Sequence, residues 1–470
     1  MNSTKAYNLI INPSKVLKGR ALGEVPTSKD VVKNTIKMAW PTVVDSFLSA
    51  IVSFVDMAMV SALGTTAISA IGLTTQPRFI MLAFFFSMNV AVTAVVARRY
   101  GQGDRESANA CLHQTLSIGL IMGIVLAAIS FIFAREMVTI AGAKADTVDD
   151  ATVYFKTIMT GFLFCGLTLN INAAQRGAGN TKISMTTNLT SNGVNIVCNY
   201  LLIEGHLGFP ALGTFGAALA SAIGMFVAFI VAVISLCRKN GYLKLKLSKL
   251  FRFTKSTMSA MWKVWWSAAI EQFFLRLGFF LFALIVANLG TDTFAVHQVG
   301  MNIMTLSFAL GDGLSVAASA LIGQNLGRGR SDLAEVYGKT CRRIGLIFSI
   351  ILIIIFVLFG EDIFGIFIKN RPDLAETGSV IMDFAAVITA VQIAAVIYTG
   401  ALRGAGDVKY VAVLMMICVA IIRPLTGYLF GYVFNWGLYG IWGSFLFDQS
   451  LRCMLSMVRF KKGKWKEIKV

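Results

Sequence analysis

The feature that most constrains this chain is the recurrence of apolar stretches long enough to cross a lipid bilayer. A helix spans the hydrocarbon core with about 20 apolar residues, and only helices or closed barrels satisfy all backbone polar groups there. The stretches 226–236 and 346–359 are apolar on every side, whereas barrel strands alternate apolar and polar residues. With 56% hydrophobic and 14% charged residues, the sequence predicts an all-α polytopic membrane protein.

The apolar runs predict about twelve transmembrane helices. The expected ranges are 34–62, 78–100, 107–133, 151–174, 183–204, 214–237, 262–288, 300–325, 342–368, 376–402, 409–431 and 438–459. About 33 of the 42 Lys and Arg residues fall in alternate connections, and the positive-inside rule places those connections in the cytoplasm. We therefore expect a multi-pass protein of the cell (plasma or inner) membrane with both termini in the cytoplasm.

Short sequence landmarks recur once, about half the chain later, at a nearly constant spacing. LGT at 63–65 returns at 289–291, and GQG at 101–103 returns at the same spacing as GRG at 327–329. RGAG at 176–179 returns at 403–406, and Gly213 and Gly216 match Gly437 and Gly440, both at almost the same spacing. The sequence therefore predicts a duplicated six-helix unit.

Two units with an even number of helices share one orientation, which predicts parallel repeats related by an axis along the membrane normal. The expected domains are an N-terminal tail (1–33), a first lobe (34–237), a linker (238–261), a second lobe (262–459) and a C-terminal tail (460–470). Both tails and the linker are expected in the cytoplasm. The basic linker also carries Leu, Phe and Trp residues typical of an interfacial amphipathic segment.

Several classes of protein do not fit the pattern. The net charge of +18 is spread over short connections and forms no patch for nucleic acid. The seven cysteines are single and the three histidines are scattered, so we assign no disulfide or metal site. HExxH, GxSxG and Walker A motifs are absent from the sequence, which argues against an enzyme, a primary pump and a bound cofactor.

A set of ordered motifs carries a family resemblance. The motifs are AWPTVVD at 39–45, VDM at 55–57, RRYGQGD at 98–104, the two RGAG turns and AVHQ at 295–298. From about Met38 to Arg459 the chain resembles the multidrug and toxic compound extrusion (MATE) family. The resemblance implies a secondary antiporter with two lobes around a central cavity, which exports organic, often cationic, compounds in exchange for H⁺ or Na⁺. A lipid-linked oligosaccharide flippase of the same superfamily is the alternative.

Ionisable residues at membrane depth are costly, and each one is a candidate for function. Asp45 and Asp56 lie eleven residues apart on the first helix, about three turns along one face. Pro41 on the same helix removes a hydrogen bond and permits a bend. The resemblance implies that Asp56 carries cation coupling together with polar residues of the fifth helix.

Asn195 and Asn199 of the fifth helix are four residues apart and therefore share a face. Asn199 stands where archaeal-type members of the family carry a second aspartate, which favours a single-carboxylate proton site over a sodium site. Burial favours the neutral carboxyl form, so proton binding and release at Asp56 would drive bending of the first helix. The structural alternative is a carboxylate held permanently by Asn or Ser neighbours.

The second half contains five candidate charged residues: Glu271, Arg276, Asp312, Asp383 and Arg423. Glu271 follows Asp45 at the spacing of the LGT and GQG landmarks and thus occupies its equivalent position. Sodium-driven members of the family carry acids on helices seven and ten; Glu271 lies about one turn before the first, and Gln392 aligns with the second. Pairing of Arg276 or Arg423 with Glu271, Asp312 or Asp383 would form a structural ion network, and this alternative to a role in transport stays open.

The expected ligands follow from these charges. Asp45, Asp56 and Glu271 would attract a small organic cation. The lipid bilayer is the other expected partner, and the sequence implies no obligate protein partner.

Overall fold

The computed structural model describes residues 3–17, 19, 21–61, 65–143, 147–238, 240–367 and 375–468, most of which are helical. The first helices, numbered in chain order, are α1 (Ser3–Ile10), α2 (Pro13–Leu17), α3 (Ser28–Ser61), α4 (Thr65–Gly101), α5 (Arg105–Ile132), α6 (Ala134–Ile140), α7 (Val148–Thr160), α8 (Phe162–Gly177) and α9 (Lys182–Leu202). They are followed by α10 (Gly213–Cys237), α11 (Lys255–Ala287), α12 (Thr291–Gly327), α13 (Ser331–Phe367), α14 (Ala375–Ala405), α15 (Val408–Met415), α16 (Arg423–Tyr428) and α17 (Gly437–Lys462).

The twelve predicted helices all have counterparts within the described residues. Several begin earlier than predicted: α4 starts at Thr65 rather than 78, and α13 starts at Ser331 rather than 342. The apolar run marks only the part suited to hydrocarbon, whereas the hydrogen-bonded helix continues into polar sequence. The predicted fourth helix is broken into α7 and α8, which meet at a 44° bend around Gly161.

Eight of the described helices are long and apolar enough to cross a membrane, and the bent pair α7–α8 adds a ninth. Over their described residues, α3, α9 and α17 do not meet the same length and hydropathy test. These three helices contain the polar residues discussed below, among them Asp56, Asn199 and Asp448. Fewer than twelve of the described helices therefore meet the hydropathy test, because candidate functional groups interrupt the apolar surface of α3, α9 and α17.

The eleventh predicted helix has an irregular hydrogen-bond ladder. The chain runs from α15 through a π-helical stretch, Met416–Ile422, then through α16 into a second one, Leu429–Val433. Pro424 lies at the start of α16 and cannot donate a backbone hydrogen bond. π-helical turns are rare and often mark functional sites, so this segment is a point of interest.

The chain divides into two compact units. The first unit comprises Phe47–Trp265, and the second comprises Met1–Ser46 together with Trp266–Val470. These bounds differ from the predicted lobes, because α3 and α11 each contribute to both units. The start of α3 packs in the second unit, where Val43 contacts Gly313 of α12.

The two RGAG turns adopt matching conformations. The last glycine of each turn has a left-handed backbone, with φ of 88° at Gly179 and 89° at Gly406. The first glycine of each motif lies against the backbone of a neighbouring helix: Gly177 against Thr93 and Gly404 against Ser319. Thr93 and Ser319 are themselves related by the spacing of the LGT landmarks, so the duplication extends to the packing contacts.

Gly404 is the more tightly packed of the two close-approach glycines. A Cβ at this position would lie 2.1 Å from the carbonyl oxygen of Ser319, a backbone atom that cannot move aside freely. Gly400, one turn earlier, meets Ser315 in the same way, so α14 presents a GxxxG face to α12. Small residues at such a face permit close packing of two helices.

We expect Gly404→Ala to lower the thermal stability of the purified protein, because overpacking of this kind costs about 1–3 kcal/mol. Gly193→Ala on α9 is the matched control, since a Cβ there meets no atom within 4 Å. Thermal unfolding in detergent measures both. Equal transition temperatures for the two variants would contradict the close packing of α14 on α12.

The linker is bound along α5 within the first unit. Asn109 Oδ1 accepts from the backbone N–H of Lys244 (2.7 Å), and His113 Nε2 accepts from that of Lys246 (2.9 Å). Ser117 Oγ accepts from the N–H of Phe251 at 2.9 Å. The three α5 side chains are spaced by four residues and form one stripe, which fixes the linker over about three turns.

Both terminal segments pack onto the second unit. Arg343 of α13 donates to the carbonyl of Ile10 (2.8 Å), and Ile11 is fully buried. Near the other end, the buried Trp465 stacks on Phe460 with 4.9 Å between the ring centroids. The segments predicted as tails are therefore folded parts of the molecule over their described residues; their cytoplasmic location stays a prediction.

Candidate functional site

Asp56 of α3 is half-buried and contacts two asparagines of α9. Asn199 Nδ2 donates to Asp56 Oδ1 at 3.0 Å. With its Nδ2 facing the carboxylate, Asn195 donates to both Asp56 oxygens at 2.9 and 3.2 Å, and its Oδ1 accepts from Ser221 Oγ at 3.1 Å. Helices α3 and α9 thus meet at one carboxylate in the first unit, and α10 joins the cluster through the contact of Ser221 with Asn195. The predicted residues Asp56, Asn195 and Asn199 form one cluster.

One buried polar atom of the cluster has no hydrogen-bond partner among the described residues. Asn199 is 2% exposed, and its Oδ1 has no hydrogen-bond partner among the residues that the structure describes. A buried acceptor without a partner is costly, so this atom favours the arrival of a donor or a cation. The two amides present their N–H groups to Asp56, so the cluster as it stands is suited to a carboxylate, and oxygen ligation of a hard cation would require the amides to rotate.

One further residue influences Asp56 electrostatically. Arg78 of α4 supplies a positive charge that acts on the carboxylate, and the charges of Arg78 and Asp56 both act on Tyr154 of α7. Arg78 follows Pro77 within α4 and is half-buried. The sequence analysis missed Arg78, although the rule that membrane-depth charges are candidates applies to it as well.

Asp45 and Pro41 lie on the same helix as Asp56 but in the second unit. Asp45 is half-buried, and its backbone lies about 16 Å along the helix from that of Asp56 at 1.5 Å per residue. The structure therefore does not join Asp45 to the cluster. Pro41 is buried, and α3 continues through it to Ser61.

Glu271 of α11 is fully buried and pairs with Arg403 of the second RGAG turn. The contact is bidentate: Arg403 Nε donates to Oε2 at 3.3 Å, and Nη2 donates to Oε1. Asp312 of α12 is exposed and also acts on Arg403 through its charge. Glu271 thus has a partner in Arg403, which the sequence analysis had assigned only to the turn.

Arg423 lies in the second unit between the two π-helical stretches and is 1% exposed. Its Nε donates to Oδ2 of the fully buried Asp448 at 3.0 Å, and Nη2 donates to the same oxygen. The rings of Phe279, Phe282 and Phe445 surround the guanidinium carbon at 5.0, 5.7 and 4.7 Å. The predicted partners Glu271, Asp312 and Asp383 are therefore wrong for Arg423.

Two further predicted candidates lie on α11 and α14. Arg276 of α11 is half-buried, and Asp383 of α14 is exposed. Asp448 was missed although it lies in a predicted transmembrane helix; the rule that selected the other charged residues would have found it. Which acid meets which arginine depends on helix rotation, and spacing along the sequence does not fix that.

Buried polar groups in both compact units thus lie among long apolar helices. This architecture defines a polytopic membrane protein. The comparisons with known proteins identify the family.

The MatE family profile matches residues 41–201 and 267–429. The chain is 26% identical over 452 residues to a probable multidrug resistance protein NorM of Thermotoga maritima, and the alignment covers 94% of each chain. It is 25% identical over 437 residues to the multidrug resistance protein MdtK of Yersinia pestis, covering 91% of this chain and 95% of that protein. The chain therefore belongs to the MatE family, which confirms the resemblance seen in the sequence.

The fold agrees with this assignment. An outward-facing structure of a multidrug resistance MATE family transporter of the MOP superfamily superimposes with a TM-score of 0.86. The match covers 97% of this chain and 99% of that chain at 18% identity. These matches establish a multi-span transport protein of two-lobe fold and do not favour the flippase alternative.

Proposed function

We propose that this chain exports small organic cations in exchange for protons, and that Asp56 is the proton-binding group. The observation that carries the proposal is the contact of one half-buried carboxylate with Asn195 and Asn199. Multidrug resistance proteins related to it along nearly their whole length support the choice of substrate class. The proposed location is the cell (plasma or inner) membrane, with both termini in the cytoplasm.

The cluster suggests how a proton would change the helices around it. In the ionised state the carboxylate only accepts hydrogen bonds, and both asparagines supply donors. After protonation the carboxyl group gains an O–H and loses one acceptor, and rotation of the Asn199 amide would offer its unpartnered Oδ1 to that O–H. Protonation therefore changes the hydrogen-bond pattern between α3 and α9, which is the step we assign to coupling.

The choice of H⁺ over Na⁺ rests on the charge of the cluster. Asn195 and Asn199 present at least two N–H donors to Asp56, and such donors stabilise a carboxylate but repel a metal ion. A single acid leaves the site neutral after it takes up one proton. Sodium would require the amides to rotate so that their oxygens face the carboxylate.

Transport by the wild-type protein in proteoliposomes tests this choice. We expect an imposed pH gradient to drive uptake of a fluorescent organic cation when sodium is equal on both sides. A sodium gradient at equal pH is expected to give only the rate seen without a gradient. Uptake driven by sodium alone at equal pH would contradict the proposed proton coupling while leaving the assignment as an exporter intact.

A further inference from the structure

An apolar cavity lies in the first unit, away from the Asp56 contacts described above. It measures about 220 Å³ and is lined by Met88, Ile118, Met258, Met261, Trp262 and Trp265. The indole N–H of Trp265 donates to Ser87 Oγ at 2.9 Å, which orients the ring and satisfies its polar atom. The cavity is partly open, and its apolar lining is suited to a hydrocarbon guest.

The cavity adjoins a wider groove with a basic mouth. The groove has a volume of about 450 Å³ and shares Met258 and Trp262 with the cavity. Its other lining residues include Lys255 and the hydroxyl residues Thr254 and Ser259. A ligand that follows the groove would therefore have an apolar end in the cavity and a polar or anionic end at Lys255.

Hydrogen bonds from α5 fix the linker residues that border the groove. Ser117 of α5 holds the backbone of Phe251, and Gln114 Nε2 donates to Thr254 Oγ1 at 2.8 Å. The intervening Arg252 is exposed next to the start of α11, where Lys255 is also exposed. One positive charge, Lys255, thus lines the groove, and a second, Arg252, lies three residues before it on a segment anchored by hydrogen bonds.

Aromatic residues surround the same place. Phe251, Phe253 and Trp262 are 53%, 49% and 52% exposed. Large exposed aromatic rings beside basic residues are typical of the headgroup level of a membrane, where each basic residue attracts anionic lipid. The amphipathic character predicted for the linker agrees with this composition.

We propose that this groove binds one anionic phospholipid, with an acyl chain in the cavity and the phosphate group at Lys255 and Arg252. The positive mouth argues against the organic cations proposed as substrates, which Lys255 would repel. A zwitterionic lipid would place its own cation near the same charges. The phosphate of a lipid with a net negative charge therefore fits best, and the inference does not depend on the proposed transport function.

Quenching of tryptophan fluorescence by brominated lipid tests the site, because Trp262 and Trp265 line the cavity. The full-length protein is placed in nanodiscs with a fixed ratio of phosphatidylglycerol to phosphatidylcholine, with bromine on the chains of one lipid or the other. We expect stronger quenching from brominated phosphatidylglycerol. Equal quenching by both lipids in the wild type would overturn the proposal.

Two double variants test the headgroup contact separately from the acyl-chain contact. Arg252→Gln combined with Lys255→Gln is expected to reduce the preference for phosphatidylglycerol about fivefold for each charge removed. Lys246→Gln combined with Lys249→Gln is the matched control, with the same charge change on the same linker but outside the groove lining. An equal loss in both double variants would overturn a defined site in favour of general surface attraction.

Ile118→Phe tests the cavity without any change of charge. The larger side chain is expected to fill the space and to reduce quenching by brominated phosphatidylglycerol. Unchanged quenching in this variant, with a thermal transition like that of the wild type, would place the acyl chain elsewhere. Relief of quenching by an organic cation at low concentration would instead assign the cavity to the substrate, which also overturns the proposal.

Discussion

Asp56→Asn is expected to abolish proton-driven export while leaving the protein folded and inserted. Asparagine has nearly the same shape as aspartate and can still form hydrogen bonds with Asn199, but it cannot take up and release a proton. The transport rate should fall to the rate seen without a gradient, because the lost coupling corresponds to about a 5- to 150-fold difference in affinity between the protonated and ionised states. Initial rates of uptake of a fluorescent cation under an imposed pH gradient, normalised to protein, measure it.

Asp383→Asn is the control for this substitution. Asp383 is a carboxylate of a long helix like Asp56, but it is exposed on α14 in the other compact unit. Its replacement should leave the gradient response within about twofold of the wild type, because surface substitutions away from a site have small effects. Binding of substrate without a gradient should survive in both variants and would show that each is folded.

The opposite result has a definite meaning. If Asp56→Asn still responds to the gradient and Glu271→Gln does not, then coupling belongs to the Glu271–Arg403 pair of the second unit. The structure favours Asp56 because its contacts are neutral amides, whereas Glu271 already pairs with a guanidinium.

The order and repetition of the helices could be predicted from the sequence because hydrophobic length and spacing are local properties. The RGAG turn at 176–179 recurs at 403–406, and the last glycines of the two turns have φ values of 88° and 89°. The grouping of Asn195 and Asn199 on one face follows in the same way from helical geometry. Local periodicity therefore supplied most of the fold and one side of the candidate site.

The features that the sequence did not predict depend mostly on contacts between distant segments. The attachment of the linker to Asn109, His113 and Ser117 joins parts of the chain that are far apart in sequence, and nothing in either segment specifies the other. The early start of α13 was not predicted because its first turns are polar, as expected where a helix leaves the hydrocarbon region. Neither feature is encoded in hydrophobic periodicity.

Partner choice among the buried charges was the largest gap in the sequence analysis. Arg423 was expected to meet Glu271, Asp312 or Asp383, and it meets Asp448 instead. All four acids lie on long helices, so only the rotation and packing of each helix decide the pairing. The sequence left open whether such pairs are structural or take part in transport, and the Arg423–Asp448 pair now offers a direct test.

Asp448→Ala is expected to destabilise the protein by about 3–5 kcal/mol, because it leaves the guanidinium of Arg423 buried without its counter-charge. Arg423 is 1% exposed and enclosed by three phenylalanine rings, so water cannot replace the lost carboxylate easily. Thermal or denaturant unfolding of the purified variant measures the loss. A variant as stable as the wild type would show that the pair does not stabilise the second unit.

The double variant Arg423→Met with Asp448→Leu distinguishes structure from transport. Removing both charges takes away the desolvation cost as well as the attraction, so stability should recover most of what Asp448→Ala loses. If the pair is only structural, the stable double variant will also export the organic cation at a rate near that of the wild type. A stable double variant that does not transport would instead assign the pair to the transport cycle, since its position between two π-helical stretches places it where the helix is least regular.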